Sequence, residues 1–259
     1  MPPPPMLASV LASTLVGLLV GSFLNVCIYR LPRRESIVWP ASRCTACGRG
    51  LAWFENVPVV SWLLLRGRCR TCGAPISPMY PIVELTTAFV FAGGVIVYGP
   101  SALSAVRLAF ACALIVLFAI DLRHRILPDV ITLPGIVAGF AASWFLPPGW
   151  ISSLIGIAGG GGILLAIAEV YYRVRGQEGL GMGDVKMLAM IGAFLGWPLM
   201  VLTLVFASFA GSIVGVALIA SGRGNLQAAL PFGTFLAVGA LVAAVAGDPI
   251  LAWYLAFYR

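Results

Sequence analysis

Long apolar segments separated by short polar connections make up most of this chain. Eight such segments lie near residues 7–29, 79–98, 101–120, 130–147, 150–172, 184–197, 199–220 and 231–257. A helix of about 20 apolar residues spans the hydrocarbon core of a bilayer. Because 61% of the 259 residues are hydrophobic and 10% are charged, a soluble globular domain is excluded. The sequence predicts an all-α, polytopic membrane helical bundle of about eight spans.

One polar stretch divides the chain into three expected parts. Residues 1–29 would form the first transmembrane helix, residues 30–78 a small cytoplasmic loop domain, and residues 79–259 the rest of the membrane bundle. The chain begins with Met1–Pro5, which lacks the basic residues of a signal peptide. The first helix is therefore expected to be retained.

Basic residues are distributed unevenly between the two ends of these spans. With residues 30–78 in the cytoplasm, thirteen of the sixteen lysine and arginine residues fall in cytoplasmic connections. They are Arg30, Arg33, Arg34, Arg43, Arg49, Arg66, Arg68, Arg70, Arg123, Arg125, Arg173, Arg175 and Arg223. Lys186 lies just inside the same face, and Arg107 and Arg259 fall toward the other, so the positive-inside rule places both termini outside. The net charge of +7 fits a basic face beside anionic lipid, without a nucleic-acid partner.

Two aspartates stand at the ends of apolar segments, where a carboxylate is costly. On insertion scales an aspartate at a helix centre costs roughly 2.5 to 3.5 kcal/mol. Asp121 and Asp184 are 63 residues apart, yet the topology puts both on the cytoplasmic face. Two facing carboxylates can hold one proton, so that one acid activates water and the other polarises a peptide carbonyl. The sequence predicts Asp121 and Asp184 as a catalytic pair, with Gly181 and Gly183 letting a substrate backbone approach.

The segment after Asp184 predicts an irregular bundle. It reaches the Gly196–Pro198 turn within about thirteen residues, roughly 20 Å of helix, which is too short to cross the hydrocarbon. Such a short helix needs neighbouring protein or a water-filled cavity around its free backbone groups. The four glycines at residues 159–162 would let another helix pack closely. We expect a bundle with a cavity that faces the cytoplasm.

Other interpretations of the acids stay open at this point. Asp121 could be a loop carboxylate paired with arginine, and Asp184 could be a helix N-cap. Asp129 is the nearest rival for the pair, and we interpret it as the N-cap of the next span because Pro128 disfavours a helix before it. An ion or metal transporter with acids at a broken helix is the alternative function, and an assembly factor without activity is a third.

Four cysteines in the polar stretch predict a metal site. They form two Cys-x-x-Cys-Gly motifs, Cys44–Gly48 and Cys69–Gly73. Four thiolates at this spacing suit tetrahedral zinc, and a loop domain with little core gains stability from a metal. Disulfides are the alternative, which a reducing cytoplasm disfavours. Cys27 and Cys112 lie within apolar spans and are expected to be small core residues.

Several short motifs occur in an order that resembles one family, the type IV prepilin leader peptidases and N-methyltransferases, which are intramembrane aspartic proteases of the GxGD class. The matching segments are Gly21–Val26, Tyr29–Pro32, the two cysteine pairs, Tyr80–Leu85, Asp121 with Leu127–Asp129, Gly181–Lys186 and Pro231–Gly233. Together they cover nearly the whole chain. One departure is Thr234, where family members more often have proline, and we expect it to have little consequence.

The resemblance implies an activity, a location and cofactors. It implies that Asp121 and Asp184 are catalytic and that type IV prepilins or type II secretion pseudopilins are cut after a leader glycine. It places the chain in the bacterial inner membrane with its active site toward the cytoplasm. It also implies methylation of the new N-terminal residue with S-adenosylmethionine, for which the spacing of residues 30–78 identifies no ligands. The oligomeric state and the particular pilin do not follow from the sequence.

Overall fold

A computed structural model describes residues 4–177, 179, 181–221 and 230–257 of the chain. Met1–Pro3, on which the signal-peptide argument partly rests, and the basic residues Arg223 and Arg259 lie outside the described residues. The helices, in chain order, are α1 (Pro4–Arg30), α2 (Val60–Leu64), α3 (Met79–Tyr98), α4 (Ala102–His124), α5 (Asp129–Ala142), α6 (Trp150–Arg175), α7 (Met182–Ala220) and α8 (Phe232–Ala256).

The all-α membrane architecture predicted from the sequence is confirmed. The described part of the chain has no strands beyond two isolated bridges, Arg43 with Gly50 and Arg68 with Pro75. Six of its helices are long and apolar enough to cross a membrane, and α5, with 14 residues, is shorter. Eight apolar segments were expected; six of them correspond to one helix each, and the other two lie in α7 on either side of a break.

Two of the expected segments, 184–197 and 199–220, make up α7, which consists of two helices that follow each other across a kink. The helix runs for 39 residues and is interrupted only at Gly196, where φ is 77° and ψ is 172°. A residue without a Cβ adopts positive φ at low cost, and Pro198 follows immediately. The glycine and proline therefore separate the two helices of α7, as the sequence pattern predicted.

The chain divides into two compact units, Met1–Val116 and Leu117–Arg259. In the first unit α1 packs closely on α3, because Gly17 and Gly21 present bare Cα atoms to it. A Cβ added at Gly21 would lie 2.7 Å from the Cα of Glu84. The buried Glu84 side chain accepts a hydrogen bond of 2.7 Å from the backbone N–H of Val59, so the polar stretch is tied to α3 within this unit.

In the second unit α7 is packed tightly against α6. A Cβ added at Gly156 would lie 2.5 Å from the carbonyl oxygen of Gly192, and one at Gly160 would lie 2.7 Å from that of Leu188. The buried hydroxyl of Ser153 donates to the Ala193 carbonyl at 2.8 Å. Of the four glycines expected to allow close packing, Gly160 makes such a backbone contact, and the sequence argument missed Gly156. Small residues and interhelical hydrogen bonds of this kind are how helices associate in lipid.

Candidate active site

Asp121 lies in the last turn of α4, and its carboxylate is held by the start of α8. Its side chain is buried, and Oδ2 accepts hydrogen bonds from the backbone N–H of Thr234 at 2.7 Å and from the Thr234 hydroxyl at 3.0 Å. The first turn of a helix offers N–H groups that lack partners further back in the helix. Asp121 therefore takes its hydrogen bonds from Thr234, and the interpretation as an arginine-paired loop carboxylate is not what the structure shows.

Asp184 lies in the first turn of α7, and its side chain is half-buried. The N-cap of this helix is Gly181, whose carbonyl accepts the Asp184 N–H at 3.0 Å. Asp184 is therefore not the N-cap. Its carboxylate faces the backbone amides of Gly181 and Gly233. The positive end of the helix dipole favours a carboxylate at this place.

The first turn of α8 brings the two acids to one site. Gly233 places its backbone amide on the Asp184 carboxylate, and a Cβ added at Gly233 would lie 3.0 Å from Asp121 Oδ2. The two carboxylates are near enough to interact electrostatically. Asp121, Asp184 and Gly233 thus form one cluster with hydrogen-bond donors on both acids. Such a pair can hold a single proton and can act as base and acid in the attack of water on a carbonyl.

Sequence reasoning did not find the role of Thr234. The only signal was the departure from the proline that resembling sequences carry at this position, which we expected to matter little. Proline has neither a backbone N–H nor a hydroxyl. A proline at this position would therefore supply neither donor to Asp121, so the difference has a direct structural consequence.

Leu127 fills the space beside both glycine turns. It lies between α4 and α5, and a Cβ added at Gly183 would be 2.9 Å from Leu127 Cβ. A Cβ added at Gly233 would be 2.8 Å from Leu127 Cδ1. The absence of side chains at these two glycines therefore lets Leu127 pack next to the aspartate cluster.

Asp129, the rival for the catalytic pair, has a different partner. Its two carboxylate oxygens each accept a hydrogen bond of 2.8 Å from the Lys186 ammonium group. Asp129 is the first residue of α5, whose N-cap is Pro128, so Asp129 is neither the expected cap nor a free acid. The ion pair joins the first turn of α5 to the first turn of α7.

The four cysteines of the polar stretch form a separate cluster in the first unit. The sulfur atoms of Cys44, Cys47, Cys69 and Cys72 all lie within 4.8 Å of one another, and none of them is in a disulfide. The Cys44 and Cys72 sulfurs are 3.9 Å apart. In a tetrahedral zinc site with Zn–S bonds of about 2.3 Å, neighbouring sulfurs are about 3.8 Å apart. This donor set fits a metal ion.

The two cysteine motifs fold into the same turn. Gly48 N–H donates to the Cys44 carbonyl and Gly73 N–H to the Cys69 carbonyl, each at 2.9 Å. Both glycines have positive φ, 73° and 69°, which explains why glycine follows each second cysteine. The backbone N–H groups of Cys72 and Thr71 lower the pKa of the Cys69 thiol to about 6. The turn thus favours the thiolate of Cys69, the form that binds metal.

One ion pair anchors this cluster to the rest of its segment. The buried Glu55 carboxylate accepts hydrogen bonds from Arg49 at 2.6 Å and from the Ala52 N–H at 2.8 Å. The Arg49 guanidinium group lowers the pKa of Glu55, so this carboxylate is ionised at neutral pH. Arg49 follows directly after the first cysteine motif, and the pair fixes that turn.

Fold and site together define a multi-pass membrane protein with an aspartate pair at the ends of two helices. Two family models match the chain: the Bacterial Peptidase A24 N-terminal domain over residues 15–98 and the Type IV leader peptidase family over residues 108–216. The chain belongs to this leader peptidase family, as its motifs indicated.

Similar curated proteins carry the name prepilin leader peptidase/N-methyltransferase. The protein of Pseudomonas putida is 37% identical over 93% of this chain and 91% of its own length. The protein of Burkholderia pseudomallei strain 1026b is 36% identical over 90% of this chain and 84% of its own length. That of Myxococcus xanthus is 45% identical over 80% of this chain and 63% of its own length. No solved structure matches the chain significantly.

Proposed function

We propose that this chain is an intramembrane aspartic endopeptidase that removes the leader peptide of type IV prepilins or type II secretion pseudopilins. The observation that carries the proposal is the cluster in which the Gly233–Thr234 backbone contacts both Asp121 and Asp184. The names of the relatives support the substrate class. They give no support to the transporter alternative.

In the proposed reaction the two aspartates divide the proton transfers between them. The ionised acid takes a proton from water as its oxygen attacks the scissile carbonyl carbon, and the protonated acid donates to the carbonyl oxygen. When the tetrahedral intermediate collapses, the aspartate that took the proton from water gives it to the leaving nitrogen, the C–N bond breaks, and the other aspartate takes its proton back from the carbonyl oxygen. Thr234 orients Asp121 for these transfers, and Gly181 and Gly183 at the start of α7 let the substrate backbone approach.

We further propose that the chain lies in the bacterial inner membrane with this site toward the cytoplasm. The supporting observation is that basic residues lie in the last turns of helices, including Arg30 at the end of α1 and Arg173 and Arg175 at the end of α6. Arg123 lies in the last turn of α4, close to Asp121 in sequence, so the positive-inside rule puts the aspartate cluster on the cytoplasmic side. Prepilin substrates and membrane lipid are the proposed partners.

Residues 30–78 are proposed as a zinc-bound cytoplasmic domain between the first helix, residues 1–29, and the bundle of residues 79–259. Cys44, Cys47, Cys69 and Cys72 would hold the ion, which would stabilise a segment with little apolar core. Methylation of the new N-terminus with S-adenosylmethionine is proposed on the names of the relatives alone. No residue is assigned to the methyl donor.

The proposal is tested with the purified full-length chain in bilayer nanodiscs and a prepilin whose leader ends in glycine. Mass spectrometry of the products is expected to show cleavage directly after that glycine. Asp121→Asn should abolish cleavage, and Asp248→Asn serves as the matched control. Asp248 lies in α8 sixteen residues after Phe232, about 24 Å along the helix, so cleavage should be retained. Cleavage that survives in Asp121→Asn, or none in the unchanged chain, contradicts the proposal.

A further inference from the structure

The position of Leu127 relative to the aspartate cluster bears on which substrates fit. Its side chain packs on the bare Cα atoms of Gly183 and Gly233 at the same time. With a Cβ at Gly183, three atoms of Leu127 would lie between 2.9 and 3.5 Å from it. The space beside both glycine turns is therefore occupied by one isobutyl group.

Both of those glycines are direct neighbours of the reacting carboxylates. Gly183 immediately precedes Asp184, and the Gly233 amide faces the Asp184 carboxylate. A Cβ at Gly233 would lie 2.8 Å from Leu127 Cδ1 and 3.0 Å from Asp121 Oδ2. Leu127 therefore lies directly beside the place where a scissile carbonyl would meet both acids.

The segment that carries Leu127 is fixed at both ends. On one side the Arg125 N–H donates to the Asp121 carbonyl at 2.9 Å and ends α4. On the other side Pro128 has a restricted φ of −64° and begins α5, whose first residue, Asp129, is bound by Lys186 through both carboxylate oxygens. Leu127 is thus a wall of the site rather than the tip of a free loop.

We propose that Leu127 is the residue that restricts the last leader position of the substrate to glycine. This inference rests on the proposed prepilin cleavage and names the determinant of its specificity. A glycine at the scissile bond has no Cβ and passes the Leu127 side chain. Alanine or any larger residue would place a carbon atom in the space that the isobutyl group already fills.

The test uses the full-length enzyme in nanodiscs and two prepilins that differ only in having glycine or alanine as the last leader residue. The measured quantity is the ratio of kcat/KM for the alanine substrate to that for the glycine substrate. Leu127→Ala should raise this ratio at least about tenfold, since one methylene in an apolar pocket discriminates about 10- to 200-fold. Ile126→Ala is the matched control, because Ile126 is the preceding residue and its side chain is 45% exposed. It should leave the ratio unchanged.

Leu127→Val removes a single methylene and is the second test variant, used if Leu127→Ala does not fold. It should raise the ratio in the same direction by a smaller factor. An unchanged ratio in a folded Leu127 variant, or an equal rise in Ile126→Ala, overturns the inference. The ratio of the two kcat/KM values does not depend on the amount of folded enzyme. If Leu127 had a purely structural role, its substitution would lower cleavage of both substrates and leave this ratio constant. If the unchanged chain fails to cut the glycine substrate, the proposed function fails instead.

Discussion

The hydrogen bonds from Thr234 to Asp121 lead to the most specific prediction. Thr234→Val keeps the branched shape and the backbone N–H but removes the hydroxyl that donates to Oδ2 at 3.0 Å. A hydrogen bond to a charged group contributes about 1.5 to 3 kcal/mol. If the bond persists in the transition state, its loss lowers kcat about 10- to 150-fold, at about 1.4 kcal/mol per factor of ten. The remaining N–H bond at 2.7 Å should preserve measurable activity.

The assay is cleavage of a glycine-leader prepilin at saturating concentration, with kcat and KM determined separately. Thr234→Ser restores the hydroxyl and should recover most of kcat, whereas KM should change little in either variant. Thr203→Val is the matched control, because Thr203 is also fully buried but its hydroxyl donates to the Leu199 carbonyl within α7 at 2.8 Å. A wild-type kcat in Thr234→Val, or an equal drop in Thr203→Val, would refute the role given to Thr234.

Three further predictions concern stability and metal content. Gly192→Ala should lower the midpoint of thermal unfolding, because the added Cβ would overlap the Gly156 backbone and overpacking costs about 1 to 3 kcal/mol. Gly162→Ala is the control: its Cβ would meet no atom within 4 Å, so the midpoint should stay unchanged or rise. Cys72→Ser should abolish the binding of zinc measured by elemental analysis, and full occupancy would exclude the four-cysteine site. Lys186→Met should reduce the free energy of unfolding by no more than about 1 kcal/mol because the ion pair is partly exposed, and a larger loss would show that this pair is a main anchor.

Features that depend on local spacing were predictable from the sequence. The apolar runs gave the all-α membrane architecture, because length and composition decide whether a segment can span lipid. The Cys-x-x-Cys-Gly repeats predicted the sulfur cluster, since each motif folds within a few residues of itself. Asp121 and Asp184 were identified because a carboxylate at the end of an apolar segment costs free energy and therefore indicates a function. Both do lie in one cluster.

Features that depend on distant parts of the chain were not predictable. Thr234 contacts Asp121 across 113 residues, and Lys186 contacts Asp129 across 57, so no local pattern indicates either pair. The break at Gly196, in contrast, follows from the local glycine and proline and was predicted from the sequence.

The packing of α6 on α7 shows the same limit. The sequence pointed to the four glycines at 159–162, but an added Cβ at Gly162 would meet nothing within 4 Å. Gly156 and Gly160, four residues apart, lie on the same side of the helix and make the backbone contacts. Which glycines of α6 allow close packing depends on the side of α6 against which α7 lies.

Kinetics of single and double variants show whether Asp121 and Asp184 act as one catalytic unit. We expect Asp121→Asn, Asp184→Asn and the double variant to lose prepilin cleavage to the same residual rate, because the effects of groups that work as a unit are not additive. All three proteins should fold as the unchanged chain does. Losses that add in the double variant, or cleavage that persists in either single variant, would contradict the account.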